Sequence, residues 1–388
     1  MNSKRLLTPG PVPIPKAVLE ILSRPIVHHR TPEFELTLKF CLEALKKMFA
    51  TSGHVFIHAS TGSGGMESAI VNTLSPGDEV LCVVSGKFGE RWAYMAEVFG
   101  LKVHRMEVPW GQAVAIPEFE TVLNSKPGVK AVLTQACETS TATLHPIREM
   151  ARLVKERTAA LFLVDAITAM GCMPMPMDEW GLDVVVAGSQ KAFMLPTGLS
   201  FVGASKRALE AAQKNLQPKF YWQWKQELDA NEKIQTFFSS PSSLVNALEG
   251  VLRQIEKVGF NNVQARIEAL ADATRQAGTA LGLEVFSKAP APAVTALSLP
   301  QNIPGEKLRD WLEESRNVIV MGGQDKLKGR ILRIGHMGDI SDEDMKVFFE
   351  SLAAGLDHFD ASFGAQKRLP TALSNLQTRL QKNRAVFI

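Results

Sequence analysis

Lys191 follows the short apolar run Asp183-Val-Val-Val-Ala-Gly-Ser-Gln190 and is followed directly by Ala, Phe, Met and Leu. The β-branched residues read as a buried strand, which would deliver the lysine as a cation into an apolar pocket. An amine placed there loses part of its preference for the ammonium form and becomes free to form an imine or carry a proton. Most lysines after strands are ordinary surface residues, so the reading depends on company. Leu161-Phe-Leu-Val-Asp165 is a second apolar run, and it ends in a carboxylate that is expensive to bury unless it meets a cation. An N-cap for a following helix is the alternative role for that acid. Thr61-Gly-Ser-Gly-Gly-Met-Glu67 joins a strand-like stretch to a helix, and its glycines let the backbone fold closely around an anion near a helix N-terminus. It matches neither familiar nucleotide signature: a GxGxxG frame opening at Gly62 meets Glu67, and no Gly-Lys-Ser/Thr follows. Arg333 comes late in the chain and offers a planar fork for a carboxylate. Together these four features describe a Schiff-base lysine and the binding set for pyridoxal 5'-phosphate (PLP).

Composition sets wider limits. A chain of 388 residues can bury roughly three quarters of its unfolded surface and is expected to split into a large and a small domain. The formal net charge of +3 implies neither nucleic acid nor an anionic membrane as partner. No apolar run of about 18 residues exists, and the N-terminal apolar segment is too short for a signal peptide, so a soluble cytoplasmic protein is expected. Cys41, Cys82, Cys137 and Cys172 are widely spaced with no CxxC pair, and reduced thiols are the expectation. His54 and His58 are four apart, but Val-Phe-Ile between them favours a strand, which would set them about 13 Å apart. No metal site is expected there.

The elements that must position these groups follow in order. Thr8-Pro-Gly-Pro-Val-Pro-Ile-Pro15 can form neither helix nor central strand and must run extended across something else. Lys16 to Ser23 reads as a short helix, and Thr31 caps a long amphipathic helix to about Phe49 with Pro32 at its first position. From residue 54 to 188 strands and helices alternate as in a doubly wound parallel sheet. Lys219-Phe-Tyr-Trp-Gln-Trp224 is an aromatic cluster suited to packing or a subunit contact. Two long helices, then strands around a helix at 305–315, and a last helix at 342–361 describe an α+β half.

Thr-Gly-Ser-Gly-Gly-Met-Glu (61–67), Gly-Lys-Phe-Gly-Glu-Arg-Trp (86–92), Glu-Thr-Ser-Thr (138–141), Val-Asp-Ala (164–166), Gly-Ser-Gln-Lys-Ala (188–192) and Leu-Arg-Ile-Gly-His-Met-Gly (332–338) fall in the order and spacing of class V aminotransferases. More narrowly the chain resembles the alanine–glyoxylate and serine–glyoxylate (serine–pyruvate) group, from the Pro-rich start to about Ala361. The resemblance implies an α/β PLP fold type I, with a mostly parallel seven-stranded sheet, a small C-terminal α+β domain and a homodimer with shared active sites. The corresponding divisions are an arm and short helix at 1–20, a large domain at 21–255, a small domain at 256–361 and a polar tail at 362–388, packed on a partner subunit or mobile.

Carried over residue by residue, it assigns Lys191 to the cofactor linkage and Gln190, Ser63, Gly64 and Gly65 to the phosphate. Phe88 takes the position that stacks on the pyridine ring, Thr139 lies near the ring oxygen, and Asp165 partners the ring nitrogen. Arg333 grips the substrate carboxylate, and Ser239 stands where relatives place a Thr reaching the phosphate of the neighbouring subunit. The chain departs from the pattern at Ala142, at Cys137, and in Ser-Ser-Pro-Ser (239–242) with Ala-Leu-Glu-Gly (247–250). The implied activity is transamination between a small amino acid, alanine or serine, and a small 2-oxo acid, glyoxylate or pyruvate. Two alternatives stand beside it. A cysteine desulfurase needs a mobile C-terminal cysteine, and none follows Cys172. A non-catalytic member of the fold would have no need of the lysine, aspartate and arginine together.

Overall fold

The computed structural model describes residues 4–381. Its centre is a seven-stranded sheet in the order His54–His58, Ser200–Ala204, Val184–Gly188, Leu161–Asp165, Ala131–Gln135, Glu79–Val84, Lys102–Glu107. Ser200–Ala204 runs antiparallel to both neighbours, and the remaining pairs are parallel. Every residue of the three central strands is buried. Helices cover both faces of such a sheet, which is why these segments read as unbroken apolar runs without alternation. The register sets Gln135 beside Asp165, and Asp165 beside Val186. The acid and the turn after Gly188 therefore meet at the carboxyl edge of the sheet, where ligand crevices of open α/β sheets form.

The helices follow their capping signals. Thr31 Oγ1 accepts the Phe34 N–H (3.3 Å) at the start of Pro32–Phe49, with Glu33 and Glu35 in the first turn and Lys46 and Lys47 in the last. His54 and His58 sit at opposite ends of one strand with separate partners, Asn231 (2.9 Å) and Ser68 (3.0 Å). All four cysteines are buried and free. Among the described residues no helix is long and apolar enough to cross a membrane.

The aromatic cluster packs on its own chain. Trp224 Nε1 donates to Ser68 Oγ (2.7 Å) and Trp222 Nε1 to Glu67 Oε1 (3.0 Å), so both indoles brace the helix Gly62–Thr73. Phe220 and Tyr221 stay exposed.

A second core lies around an antiparallel sheet of Glu284–Val285, Val294–Ser298, Ile331–Gly335 and Met321–Gly322. Phe260–Ala280, Gly305–Arg316 and Asp342–Phe359 supply Leu270, Leu308, Phe348 and Phe349 to it. The N-terminal arm joins this layer. Arg5–Leu6 pairs in parallel with Val318–Ile319, and Leu7 is part of the same core. The polar composition of the tail is misleading. Ala365–Leu380 is a helix whose Ala365, Ala372, Leu376 and Leu380 are buried in that core, leaving Gln, Lys and Arg for its outer face. The remainder of the tail, 382–388, and the first three residues of the arm lie outside the described residues.

Candidate active site

Lys191 stands in a tight turn after Val184–Gly188. Ser189 closes that turn by donating from Oγ to the Pro196 carbonyl (2.7 Å) and accepting the Leu199 N–H (3.1 Å). The side chain is 8% exposed, and Nζ donates to the carbonyl of Pro9. Gly10 lies against it: a Cβ there would come 2.6 Å from Nζ, and φ of +122° also favours glycine. The Pro-rich arm thus covers the lysine. Burial lowers the Lys191 ammonium to about 8, with the nearby charge of Arg333 acting in the same direction.

Asp165 is 4% exposed, and its Oδ1 accepts the Ile167 N–H (2.9 Å). Burial raises its carboxyl to about 7, and that backbone bond together with Lys191 and Arg91 only partly opposes the shift. Ile167 also links this acid to the glycine turn, since a Cβ on Gly62 would meet its Cδ1 at 2.5 Å and one on Gly188 its Cγ2 at 3.3 Å.

In the glycine turn the N–H groups of Gly64 and Gly65 close on the Thr61 carbonyl (2.9 and 3.3 Å). The N–H groups that a helix leaves without an intrahelical acceptor are then those of Gly62 and Ser63. Gly64 and Gly65 serve close packing: a Cβ on Gly65 would lie 2.8 Å from Val186 Cγ1, and one on Gly64 2.7 Å from Ser60 Cβ. Arg91 Nη1 donates to Ser63 Oγ (3.3 Å), and its guanidinium lies over the Phe88 ring, 5.1 Å from the centroid. Gln190 follows the sheet edge with its Oε1 buried and without a hydrogen-bond partner among the described residues.

Arg333, on Ile331–Gly335, is 6% exposed and crosses to the large domain. Nε donates to the Gly322 carbonyl (2.9 Å) and Nη1 to the Thr139 carbonyl (3.1 Å), leaving Nη2 without an acceptor among the described residues. Burial lowers its pKa to about 10. Thr139 Oγ1 bonds Thr168 Oγ1 (2.7 Å).

Lys191, Asp165, Arg333 and Thr139 gather at one edge of the sheet, with Phe88, Ser63 and Gln190 on the elements around it. Ser239 stands apart. It is exposed and lines a surface recess with His58, Tyr221 and Phe238. Two participants escaped the sequence reading of the site. Pro9 meets the lysine through a main-chain oxygen, for which a sequence carries no signal. Glu138 is fully buried and accepts four hydrogen bonds; an acid just past a buried strand, as at Asp165, was the available cue.

These groups fit PLP in kind: a buried carboxylate with no salt-bridge partner among the described residues, a helix start packed too closely for side chains, and an amine of lowered pKa. Comparisons with known proteins agree. The family model described as "Aminotransferase class-V" matches residues 22–333. The L-aspartate–glyoxylate aminotransferase of Paracoccus denitrificans (strain Pd 1222) is 35% identical over 87% of each chain. A protein of Synechococcus sp. (strain PCC 6716) named as the small subunit of a soluble hydrogenase is 38% identical over 90% of this chain and 92% of its own. Among solved structures, the ureidoglycine–glyoxylate aminotransferase of Bacillus subtilis superimposes with a TM-score of 0.92 at 26% identity, covering 97% of this chain and 99% of that one. Residues, fold and relatives converge, and the chain belongs to the class-V aminotransferase family.

Proposed function

We propose that the protein is a PLP-dependent transaminase that moves an amino group, in two half-reactions, between a small amino acid such as alanine or serine and a small 2-oxo acid such as glyoxylate or pyruvate. The observation that carries this reading is the trio of buried charges at one sheet edge, Lys191, Asp165 and Arg333, none of them paired with another in a salt bridge. Glyoxylate stands first as acceptor because the aspartate and ureidoglycine enzymes to which the chain is similar both carry it in their names.

PLP, when bound, supplies an electron sink for the substrate α-carbon. The protein's own contributions follow from its geometry. Lys191 Nζ would hold the cofactor covalently and, as a free amine, move the proton that leaves the α-carbon. Its pKa of about 8 keeps part of the amine neutral near physiological pH. Asp165 would present its carboxylate to the ring nitrogen, and that cation would bring the acid back down from about 7. Phe88 would stack on the ring, with Ser63 and Gln190 at the phosphate and Thr139 near the ring oxygen. Arg333 would receive the α-carboxylate on its Nη2 side, its other edge being anchored to Gly322 and Thr139. Pro9 and Gly10 exclude water from one side of the amine.

A homodimer is part of the proposal, with the exposed Ser239 facing a neighbouring subunit, and so is a cytoplasmic location. The desulfurase alternative lacks its nucleophile: no cysteine follows Cys172, and burial raises that thiol to about 12. The hydrogenase name of one relative finds no donor set here, since no group of three His, Cys, Asp or Glu among the described residues is placed to hold a metal ion. Visible absorbance of the purified protein with PLP, before and after borohydride, tests the linkage. A screen of alanine, serine and aspartate against glyoxylate and pyruvate tests the substrates. A protein that takes up no reducible cofactor is not this transaminase.

A further inference from the structure

Glu138 follows the central strand Ala131–Gln135 and is fully buried. Its Oε2 accepts the N–H groups of Phe88 and Gly89, each at 3.0 Å. Its Oε1 accepts the Ser140 N–H (3.0 Å) and the Ser140 hydroxyl (2.5 Å). Ser140 Oγ in turn accepts the Lys87 N–H (3.1 Å). The first three N–H groups of the helix Lys87–Val98 are thus all met from one loop distant in sequence, while the helix's own cap position is Gly86 and offers no side chain. A side chain at 86 is excluded, because its Cβ would lie 2.4 Å from Ser140 Oγ and 2.6 Å from Glu138 Cδ.

All four contacts to the Glu138 oxygens come from donors, and such an arrangement suits an ionised carboxylate. Burial pushes its pKa up, and these hydrogen bonds pull it back. A neutral cap would serve the helix at less desolvation cost. What the carboxylate adds is a joint between two parts of the site. One end holds Phe88, and the other holds the loop whose next residue, Thr139, gives its carbonyl to Arg333 Nη1 (3.1 Å). Its charge also favours the guanidinium of Arg333 in a site where burial disfavours it.

We infer that Glu138 is a positioning residue that sets the aromatic face of Phe88 and the carboxylate-binding edge of Arg333 from a single buried carboxylate. This rests on the transaminase reading, and the test separates the two. The PLP-loaded protein is mixed with aminooxyacetate, which carries a carboxylate, or with methoxyamine, which does not, and capture of the cofactor is followed by absorbance. In Glu138→Gln the amide NH2 would face an N–H donor, so one side of the joint must open. The rate ratio of aminooxyacetate to methoxyamine is expected to fall about tenfold, as for loss of a charge-assisted hydrogen bond, and the induced circular dichroism of bound PLP is expected to weaken. Ser140→Ala, which removes only the bridging hydroxyl, should lower the ratio about two- to threefold, and it decides the matter if the first variant fails to fold. A lowered melting temperature with an unchanged ratio and unchanged dichroism would make Glu138 a structural cap and overturn the inference. Failure of the unsubstituted protein to bind PLP reducibly would instead remove the transaminase reading itself.

Discussion

Asp165 and Asp183 occupy opposite ends of one sheet, and the contrast between them supports placing the proposed site at the carboxyl edge. Asp183 precedes Val184–Gly188 at its amino end. Its carboxylate accepts the Phe162 N–H (2.9 Å) and the Ser205 hydroxyl (2.9 Å), and Arg207 stands 3.4 Å away. Asp165 closes the neighbouring strand at its carboxyl end, and among the described residues its carboxylate accepts only the Ile167 N–H. Both are almost fully buried, at 2% and 4% exposure, and burial raises both carboxyls. At one end the chain supplies the partners itself; at the other it withholds them. A buried acid left short of donors and cations costs stability, and a fold tolerates that cost where a ligand will supply the missing charge.

Four substitution experiments would break or sharpen that contrast. The largest effect belongs to Lys191→Ala, which should abolish the borohydride-reducible linkage and lower turnover by about three decades or more, as for loss of a covalent and proton-moving group. A pyridoxyl group still attached after reduction would remove Lys191 from its role. Asp165→Asn keeps the shape and loses the charge, and turnover should fall by roughly two decades without loss of stability in the cofactor-free protein. Asp183→Asn should do the reverse, costing about 1–3 kcal/mol in urea unfolding while kcat stays near that of the unsubstituted protein. If both variants lose activity alike, the two ends of the sheet are not functionally distinct. Arg333→Lys removes the planar fork and should cost about 1.5–3 kcal/mol, roughly one to two decades in kcat/KM, for alanine, serine, glyoxylate and pyruvate together. A loss confined to one of these would mean that Arg333 reads a side chain.

The smallest effect is a pH dependence in the cofactor-free protein. The Asp165 carboxyl lies at about 7 when folded, above its ordinary value of 3.8. Between those values the folded state binds more protons than the unfolded chain, so this group's contribution to stability falls as pH rises from about 4 to 7 and is fully unfavourable above 7. Asp165→Asn without PLP should therefore melt higher than the unsubstituted protein at pH 8 and lose that advantage progressively as pH falls to about 4. With PLP bound the order at pH 8 should invert, because the ring cation then rewards the charge. Equal melting of the two apo proteins at pH 8 would show that Asp165 is satisfied without a ligand.

The sheet and most of its helices were legible because their signals are local. Val184–Gly188 and Leu161–Asp165 announce themselves by unbroken burial, and Pro32–Phe49 by Thr31 and Pro32 at its start. The proposed roles of Lys191 and Asp165 can be raised from the sequence because each is a charge in apolar company, and that of Arg333 because it stands in the family motif at 332–338. Glu138 escaped attention because its role depends on main-chain N–H groups some 50 residues away in sequence, which no spacing rule reaches. The sequence leaves 362–388 as a polar tail, packed on a partner subunit or mobile, because only a narrow stripe of small and aliphatic residues marks the buried face of Ala365–Leu380. Trp222 and Trp224 read as suited to packing or a subunit contact, and the side they pack on, the back of the glycine turn, is a tertiary fact.

The arm over Lys191 ties the reactive amine to the order in which the chain is made. Residues 5–10 emerge early in synthesis, yet they are held in place by Val318–Ile319 and by Gly335, whose N–H bonds the Leu7 carbonyl (2.8 Å). Pairing across so long a stretch of chain comes late, since the closure entropy must be met before those contacts form. Until residues 318–335 have been added and folded, the contacts that hold residues 5–10 are absent, and so is the cover that Pro9 and Gly10 place over Lys191. The cover over Lys191 is therefore completed by the second core, although the lysine itself belongs to the first.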